Sequence, residues 1–194
     1  MAAANGMPES LADFEDAILG AGLDPAVESL IGQAGRAGIG DEGALQLLLS
    51  ARRLAPAHPA PLIAHYRFHF YARRLAEARE VAVDAIALAA RPLGLPADWR
   101  QVRPETQWPA ERMAELRAHA VAPRFYLFAL KGYAYLSLRL GDADEGRAVL
   151  DLLDRLDPTD SLGHRVLGSV LARAGRDVDY DEPEAAPATP EPAP

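Results

Sequence analysis

The chain has 194 residues, 49% of them hydrophobic, with no cysteine and a formal net charge of −8. That length and apolar content suffice for one helical domain with a continuous core and fall short of two large ones. The missing thiols exclude disulfides, thiolate metal sites and cysteine nucleophiles together, and the absence of any run of about 18 uninterrupted apolar residues excludes a membrane-spanning helix. The charge is unevenly spread: residues 1–24 and 177–194 hold acids and no base, which leaves residues 25–176 at about +3. A body that weakly basic lacks the dense cationic footprint of a nucleic-acid binder. Met1 to Gly6 show no basic region ahead of an apolar stretch, so no secretory signal is expected. A soluble cytoplasmic protein is expected, of bacterial type from its preference for Ala and for Arg over Lys.

Taken in order, residues 9–20 place Leu11, Phe14, Ile18 and Leu19 on one helical face, with Ser10 as N-cap and Gly20 and Gly22 as stops. A short capping helix is expected there, within an acidic segment spanning 1–24. Asp24 and Pro25 open the next helix, the acid at the cap and the proline in the first turn, where its missing N–H costs nothing. It runs to about Gly35 or Ala37. Gly38 to Asp41 make a turn, and a second helix runs from Glu42 to Leu54, ended by Ala55 and Pro56. Ala44, Leu48, Ala51 and Leu54 then recur as Ala78, Ala82, Ala85 and Leu88, each 34 residues on, a period of two-helix repeats.

Residues 92–124 occupy one such period, but Pro92, Pro96, Pro104 and Pro109 break its first half. Only Ala110 to Ala120 reads as helix, which leaves a loop carrying Trp99 and Trp108. The period then resumes: Tyr133 and Ala134 are answered by Leu167 and Gly168, Ser137 by Leu171, and Gly141 and Asp142 by Gly175 and Arg176. Between the copies, Asp144 to Leu156 sets Val149, Leu150, Leu152, Leu153 and Leu156 at helical spacing, closed by Asp157 and Pro158. Each helix pair has an apolar face that it can bury only against a neighbour. From Asp177 the pattern is lost, and residues 177–194, acidic and rich in Pro and Ala, are expected to be a disordered tail.

Gly32, Ala44, Ala51, Pro56, Ala78, Ala85, Ala134, Gly141, Gly146, Pro158, Gly168 and Gly175 place small residues and prolines in a pattern that resembles the tetratricopeptide-repeat family over roughly residues 25–176. Two departures stand out. Tyr66 occupies a position where that family has a small residue, and Leu62, Leu130 and His164 stand where it has an early tryptophan. The resemblance implies an all-α fold, a right-handed solenoid of antiparallel helix pairs with one degenerate repeat at about 92–124. With its two good repeats, tryptophan-containing break and last half-repeat, the chain also looks like the small tetratricopeptide proteins associated with bacterial nitrogen-fixation systems. That implies binding to nitrogenase components or their assembly intermediates, and no cofactor of its own.

In the family resembled, the first helices of successive repeats line a ligand groove. By register that face carries Ile63, Arg67, Phe70 and Tyr71, then Phe128, Lys131, Tyr135 and Arg139, then Arg165 and Arg173. Aromatic and arginine side chains are the usual anchors of protein interfaces, and Lys131 is the only lysine of the chain. The bland alternative is that the charges are ordinary solvated positions and the rings part of the core. No asparagine follows Asn5, so the family's lysine–asparagine clamp for C-terminal carboxylates is not implied.

Other constellations are weaker. Gly38 to Gly43 matches G-x-G-x-x-G, but no strand precedes it and Asp41 and Glu42 would repel phosphates, so a turn is expected. Asp177, Asp179 and Asp181 imitate a calcium loop whose glycine is Glu182 and whose closing glutamate is Ala188. His65 and His69, four apart, are two ligands without the carboxylate of H-E-x-x-H, and core packing is the expectation over metal. The expected function is therefore a non-catalytic protein-binding scaffold, an accessory or assembly factor docking on a larger complex. A secretion-type chaperone for an extended segment is the alternative, and a metal-dependent or hydrolytic enzyme would need a site the sequence does not offer. Deleting residues 177–194 is expected to leave the Tm within measurement error in a thermal scan; a loss of several degrees would show that the segment contributes to the fold.

Overall fold

The computed structural model describes residues 16–18, 20–103 and 121–169. Its main helices are α1 (Pro25–Ala37), α2 (Glu42–Leu54), α3 (Pro59–Tyr71), α4 (Leu75–Ala90), α5 (Val121–Arg139) and α6 (Ala143–Leu156), and no strand occurs among the described residues. Residues 16–18 and 165–169 are helical as well. None of these helices is long and apolar enough to cross a membrane. Most of the capping helix expected at 9–20, the helix expected from Ala110 to Ala120, Trp108, Arg173 and the acidic tail lie outside the described residues.

The expected helix starts are made by the residues that suggested them. Asp24 Oδ1 accepts from the Ala26 N–H at 2.7 Å and Asp41 Oδ1 from the Ala44 N–H at 2.8 Å, each satisfying a donor that the first turn would leave orphaned. Gly38 and Gly40, at φ 101° and 87°, make the turn between α1 and α2, so the glycine-rich stretch there is an interhelical connection. Two periods before Gly141 (φ 84°), the same left-handed conformation is taken by Arg73 (φ 61°). These two turns, 68 residues apart, thus share a backbone conformation as well as a place in the 34-residue pattern.

Each helix packs on the next along the chain, and within the pairs α1–α2, α3–α4 and α5–α6 the connections are only a few residues long, as antiparallel neighbours require. Small residues allow the close approach: Ala44 and Ala78 have no exposed surface, and Gly146, two periods after Ala78, is buried at the same place in the last pair. The main core runs through α3 to α6 and includes Tyr126, Leu130, Leu136, Leu152 and Leu156. A smaller cluster around Ala34, Ala44, Leu48 and Phe68 holds α1 and α2 against α3, and another around Val27, Ala51 and Ala55 joins α1 to the end of α2.

The segment after α4 differs from expectation. α4 packs directly on α5, and α5 is already helical at Val121, ahead of the point where the period restarts. Residues 91–103 are the described part of the segment expected to be a degenerate repeat, and they contain no α-helix. They form two short 3-10 turns, Arg91–Leu93 and Trp99–Gln101, held against the core by buried Trp99 and Val102. Arg100 stacks on the Trp99 ring at 4.7 Å, donates to the Tyr133 hydroxyl at 3.2 Å and pairs with Glu145, to which Tyr133 Oη also donates at 2.5 Å. Trp99, expected on a loop, is a core residue.

Among the described residues, Gly168 is not the tight helix crossing that its small-residue register suggests: a Cβ there would meet only Leu150 Cδ1, at an ordinary 4.0 Å. The tight position is Gly146, where a Cβ would collide with Leu138 Cδ2 and lie 2.7 Å from Leu138 Cγ. Gly146→Leu is therefore expected to cost about 1–3 kcal/mol through overpacking, whereas Gly168→Ala should be neutral or stabilising through helix propensity alone. Urea denaturation of the two variants checks both signs.

Candidate functional site

α3 has the sequence Pro-Ala-Pro-Leu-Ile-Ala-His-Tyr-Arg-Phe-His-Phe-Tyr, apolar on two sides. Leu62, His65, Phe68 and His69 are buried on one side. Ile63, Tyr66, Arg67, Phe70 and Tyr71 are half-buried or exposed on the other. A helix that is apolar all round normally lies wholly inside a protein. Here the second side is only partly covered by α5, and large apolar groups are left at the surface: Tyr71 is 55% exposed, Phe128 50% and Ile39 65%.

The rings form a continuous set. Phe70 stacks with Tyr66 at 5.8 Å between centroids, meets Tyr71 edge-on at 5.6 Å and reaches Tyr135 of α5 at 6.0 Å. Arginines lie over the two exposed rings, Arg67 5.8 Å from the centroid of Tyr71 and Arg124 5.6 Å from that of Phe128, within cation–π range. A cleft of about 240 Å³ opens between α3, α4 and α5, walled by Ile63, Tyr66, Arg67, Phe125, Phe128 and Gly132. A second, of about 390 Å³, lies between α1, α2 and α3 and is lined by Ile31, Ile39, Arg67, Phe68 and Tyr71. Arg67 borders both.

Of the residues singled out by register, the fold thus joins Ile63, Arg67, Phe70, Tyr71, Phe128 and Tyr135 in one surface. Arg139 is exposed at the C-terminal end of α5. Lys131 and Arg165 are committed elsewhere. The Lys131 ammonium donates to the Leu162 carbonyl at 2.5 Å, and Arg165 donates from Nε to Asp154 at 3.0 Å and to the Pro158 carbonyl at 2.9 Å. Both bind the turn that follows α6.

Residues that sequence reasoning missed are Gly132, Phe125, Arg124 and the role of Tyr66. A Cβ at Gly132 would stand 3.1 Å from Tyr66 Oη, so the large residue at a small-residue position is accommodated by a glycine on the facing helix. A glycine inside a helix carries a propensity cost of about 1 kcal/mol and usually marks close packing; that was the available signal. Burial, with smaller contributions from Tyr135 and Tyr71, pushes the Tyr66 phenol up to about 12, so this ring of the cleft wall stays uncharged.

Behind this surface lies a polar chain. Arg52 donates to His65 Nδ1 at 3.0 Å and to Asp84 at 2.6 Å, and His65 Nε2 lies 2.9 Å from His69 Nε2. Because guanidinium can only donate, His65 carries its proton on Nε2 and gives it to His69 Nε2, which places the His69 proton on Nδ1. That atom is buried without a hydrogen-bond partner among the described residues. Burial, reinforced by His69 and Arg52, lowers His65 to about 4, and burial lowers His69 too. Each histidine is a neutral part of the interior, which accounts for the i, i+4 spacing by packing and hydrogen bonding.

A second polar group, Asp157, Asp160 and His164, brings three potential ligand atoms within 4.8 Å of one another. Its carboxylates are already supplied with donors. Asp157 accepts from Thr159 Oγ1 and Ser161 Oγ, both at 3.0 Å, and from the Leu162 N–H at 3.2 Å; Asp160 accepts from the His164 N–H at 2.6 Å. This is a turn leading into a capped helix at residues 165–169.

The histidine chain makes stability depend on pH. Below the unfolded histidine value of 6.5 the unfolded chain takes up protons that folded His65 refuses until about pH 4, so stability is intact above 6.5 and falls as pH drops through that window. The loss should reach the order of 3 kcal/mol at pH 4. Urea denaturation between pH 7.5 and 4 measures it, and His65→Gln with His69→Gln should flatten the slope.

No protein-family model matches the chain, and no solved structure matches it. Over 134 residues it is 38% identical to the "Uncharacterized 19.8 kDa protein in nifW 5'region" of Azotobacter chroococcum mcd 1, an alignment that covers 69% of this chain and 72% of that protein. Identity at this level over that share of both chains reflects common descent, and the chain belongs to the family of the Azotobacter nifW 5'-region protein.

Proposed function

We propose that the protein is a non-catalytic binding scaffold, a short right-handed solenoid of tetratricopeptide type that docks on a larger protein complex through the aromatic and arginine face of α3 and α5. The observation that carries this reading is the pair of half-exposed rings, Tyr71 and Phe128, each with a guanidinium over it, beside apolar clefts. Rings of this kind bury much apolar area at little entropic cost, and arginine supplies directional donors around them. The sign of Arg67 and Arg139 calls for an acidic partner surface that presents apolar side chains.

The name of the Azotobacter relative supports a nitrogen-fixation setting, since that protein is encoded in the nifW 5' region. The partner that fits is nitrogenase or one of its assembly intermediates, with this protein acting as an accessory or stabilising factor.

The test is co-purification with the native partner, followed by binding kinetics. Arg67→Glu with Arg139→Glu should slow association and remove its salt dependence, because long-range attraction acts on the on-rate. Tyr71→Ala with Phe128→Ala should speed dissociation by about tenfold or more, as loss of anchor residues does. Circular dichroism verifies folding of each variant. Retention of the partner by folded protein carrying all four changes would sink the proposal.

A further inference from the structure

The cleft between α3, α4 and α5 has an apolar interior. Its floor is Leu62 and Ala82, 5% and 2% exposed, so it reaches down to the main core. Ile63 and Phe128 stand on its sides, and among the described residues no acid lines it. Water in such a hollow finds few hydrogen-bonding partners, so an apolar occupant gains by displacing it. At about 240 Å³ the cleft holds on the order of eight volumes of about 30 Å³, the space of one water in the liquid.

Arg67 is the one charged residue of the lining. Its side chain is exposed, its guanidinium lies 5.8 Å from the Tyr71 centroid, and among the described residues it has no ion pair or hydrogen bond. Other arginines of these helices differ: Arg52 pairs with Asp84, Arg74 with Glu42 and Arg79 with Asp142. A ring face attracts a guanidinium without neutralising it, so the charge and the N–H donors of Arg67 remain for an incoming acceptor. Long basic side chains lay their stem on apolar surface and keep the head at the water boundary, which puts this charge at the mouth of the cleft.

We propose that the cleft binds a small organic monocarboxylate, with its apolar body between α3, α4 and α5 and its carboxylate on the Arg67 guanidinium at the mouth. One negative charge is called for, because the lining holds one unpaired cation and no acid. A carboxylate matches the guanidinium fork, whose parallel N–H groups take two oxygens in one plane. The volume limits the body to a short chain or a single ring. This site goes beyond the docking reading, which concerns the exposed rings around the cleft and not its interior.

The experiment titrates hexanoate into the full chain while following the methyl resonances of Ile63 and Ala82, with 1-hexanol and hexylamine as probes of the same chain length without the anion. Saturable shifts around the cleft are expected, with hexanoate bound about tenfold more tightly than 1-hexanol, the scale of one charge-assisted contact, and hexylamine more weakly than either. Arg67→Gln should weaken hexanoate about tenfold and leave 1-hexanol unchanged, a split that a folding defect would not produce. Arg53→Gln, on α2 and bonded to Ser50 of its own helix, should leave both unchanged. Ala85→Leu fills the cleft and should abolish binding of both probes. It leaves Arg67, Tyr71 and Phe128 in place, so partner co-purification with this variant separates failure of this site from failure of the docking reading. Should Ala85→Leu not fold by circular dichroism, Arg67→Gln decides alone. The absence of saturable shifts, 1-hexanol or hexylamine bound as tightly as hexanoate, or hexanoate affinity that survives Arg67→Gln would overturn the proposal.

Discussion

The fold depends on close approach of helices at positions where no side chain stands in the way. Ala44, Ala78 and Gly146 recur at the same place in successive helix pairs and are buried in each. Helix axes settle at a distance set by the side chains between them, so a small residue at that crossing lets the surrounding leucines interdigitate at interior density. Pairs built this way keep an uncovered apolar side that only the next pair can bury. The direct contact of α4 with α5 follows, since their apolar faces meet.

The candidate surface arises from the one place where that constraint is relaxed. Tyr66 is a large residue at a small-residue position, and the helix it faces answers with Gly132 rather than moving away. Volume is conserved across the interface, as core packing requires. The compensation is local. Beyond the Tyr66–Gly132 contact, α3 and α5 leave the cleft walled by Ile63 and Phe128, and the second apolar side of α3 reaches solvent. A packing exception and a binding face are thus two aspects of one geometry.

Polar networks mark the joints that apolar packing leaves undirected. Arg52 ties α2 to Asp84 of α4 at the surface and to buried His65 of α3, Arg100 and Tyr133 clasp the 3-10 segment to Glu145 of α6, and Asp157 closes the turn after α6. Partly enclosed hydrogen bonds of this kind are costly to break because the groups left behind stay desolvated. They select one arrangement among several that the leucine-rich faces would tolerate.

The period, the helix starts and the all-helical class were determined by the sequence alone, because each rests on local physics: Asp24 and Asp41 cap their own helices, Pro25 and Pro59 sit in first turns, and Gly38, Gly40 and Gly141 adopt conformations that few other residues take. The inward side of α3 was legible in part, since register brought Arg67, Phe70, Tyr71, Phe128 and Tyr135 to one face. What register could not reveal was which cations of that face remain available. Lys131 and Arg165 belong to the same phase as Arg67, yet they are held by the Leu162 carbonyl and by Asp154, contacts across 31 and 11 residues respectively. Nor could it show that Trp99 is core, that Gly146 rather than Gly168 is the tight crossing, or that Gly132 makes room for Tyr66. Those are decided by which atoms of distant segments come to lie within a few ångströms of one another, and a one-dimensional pattern repeats residue types without specifying their neighbours.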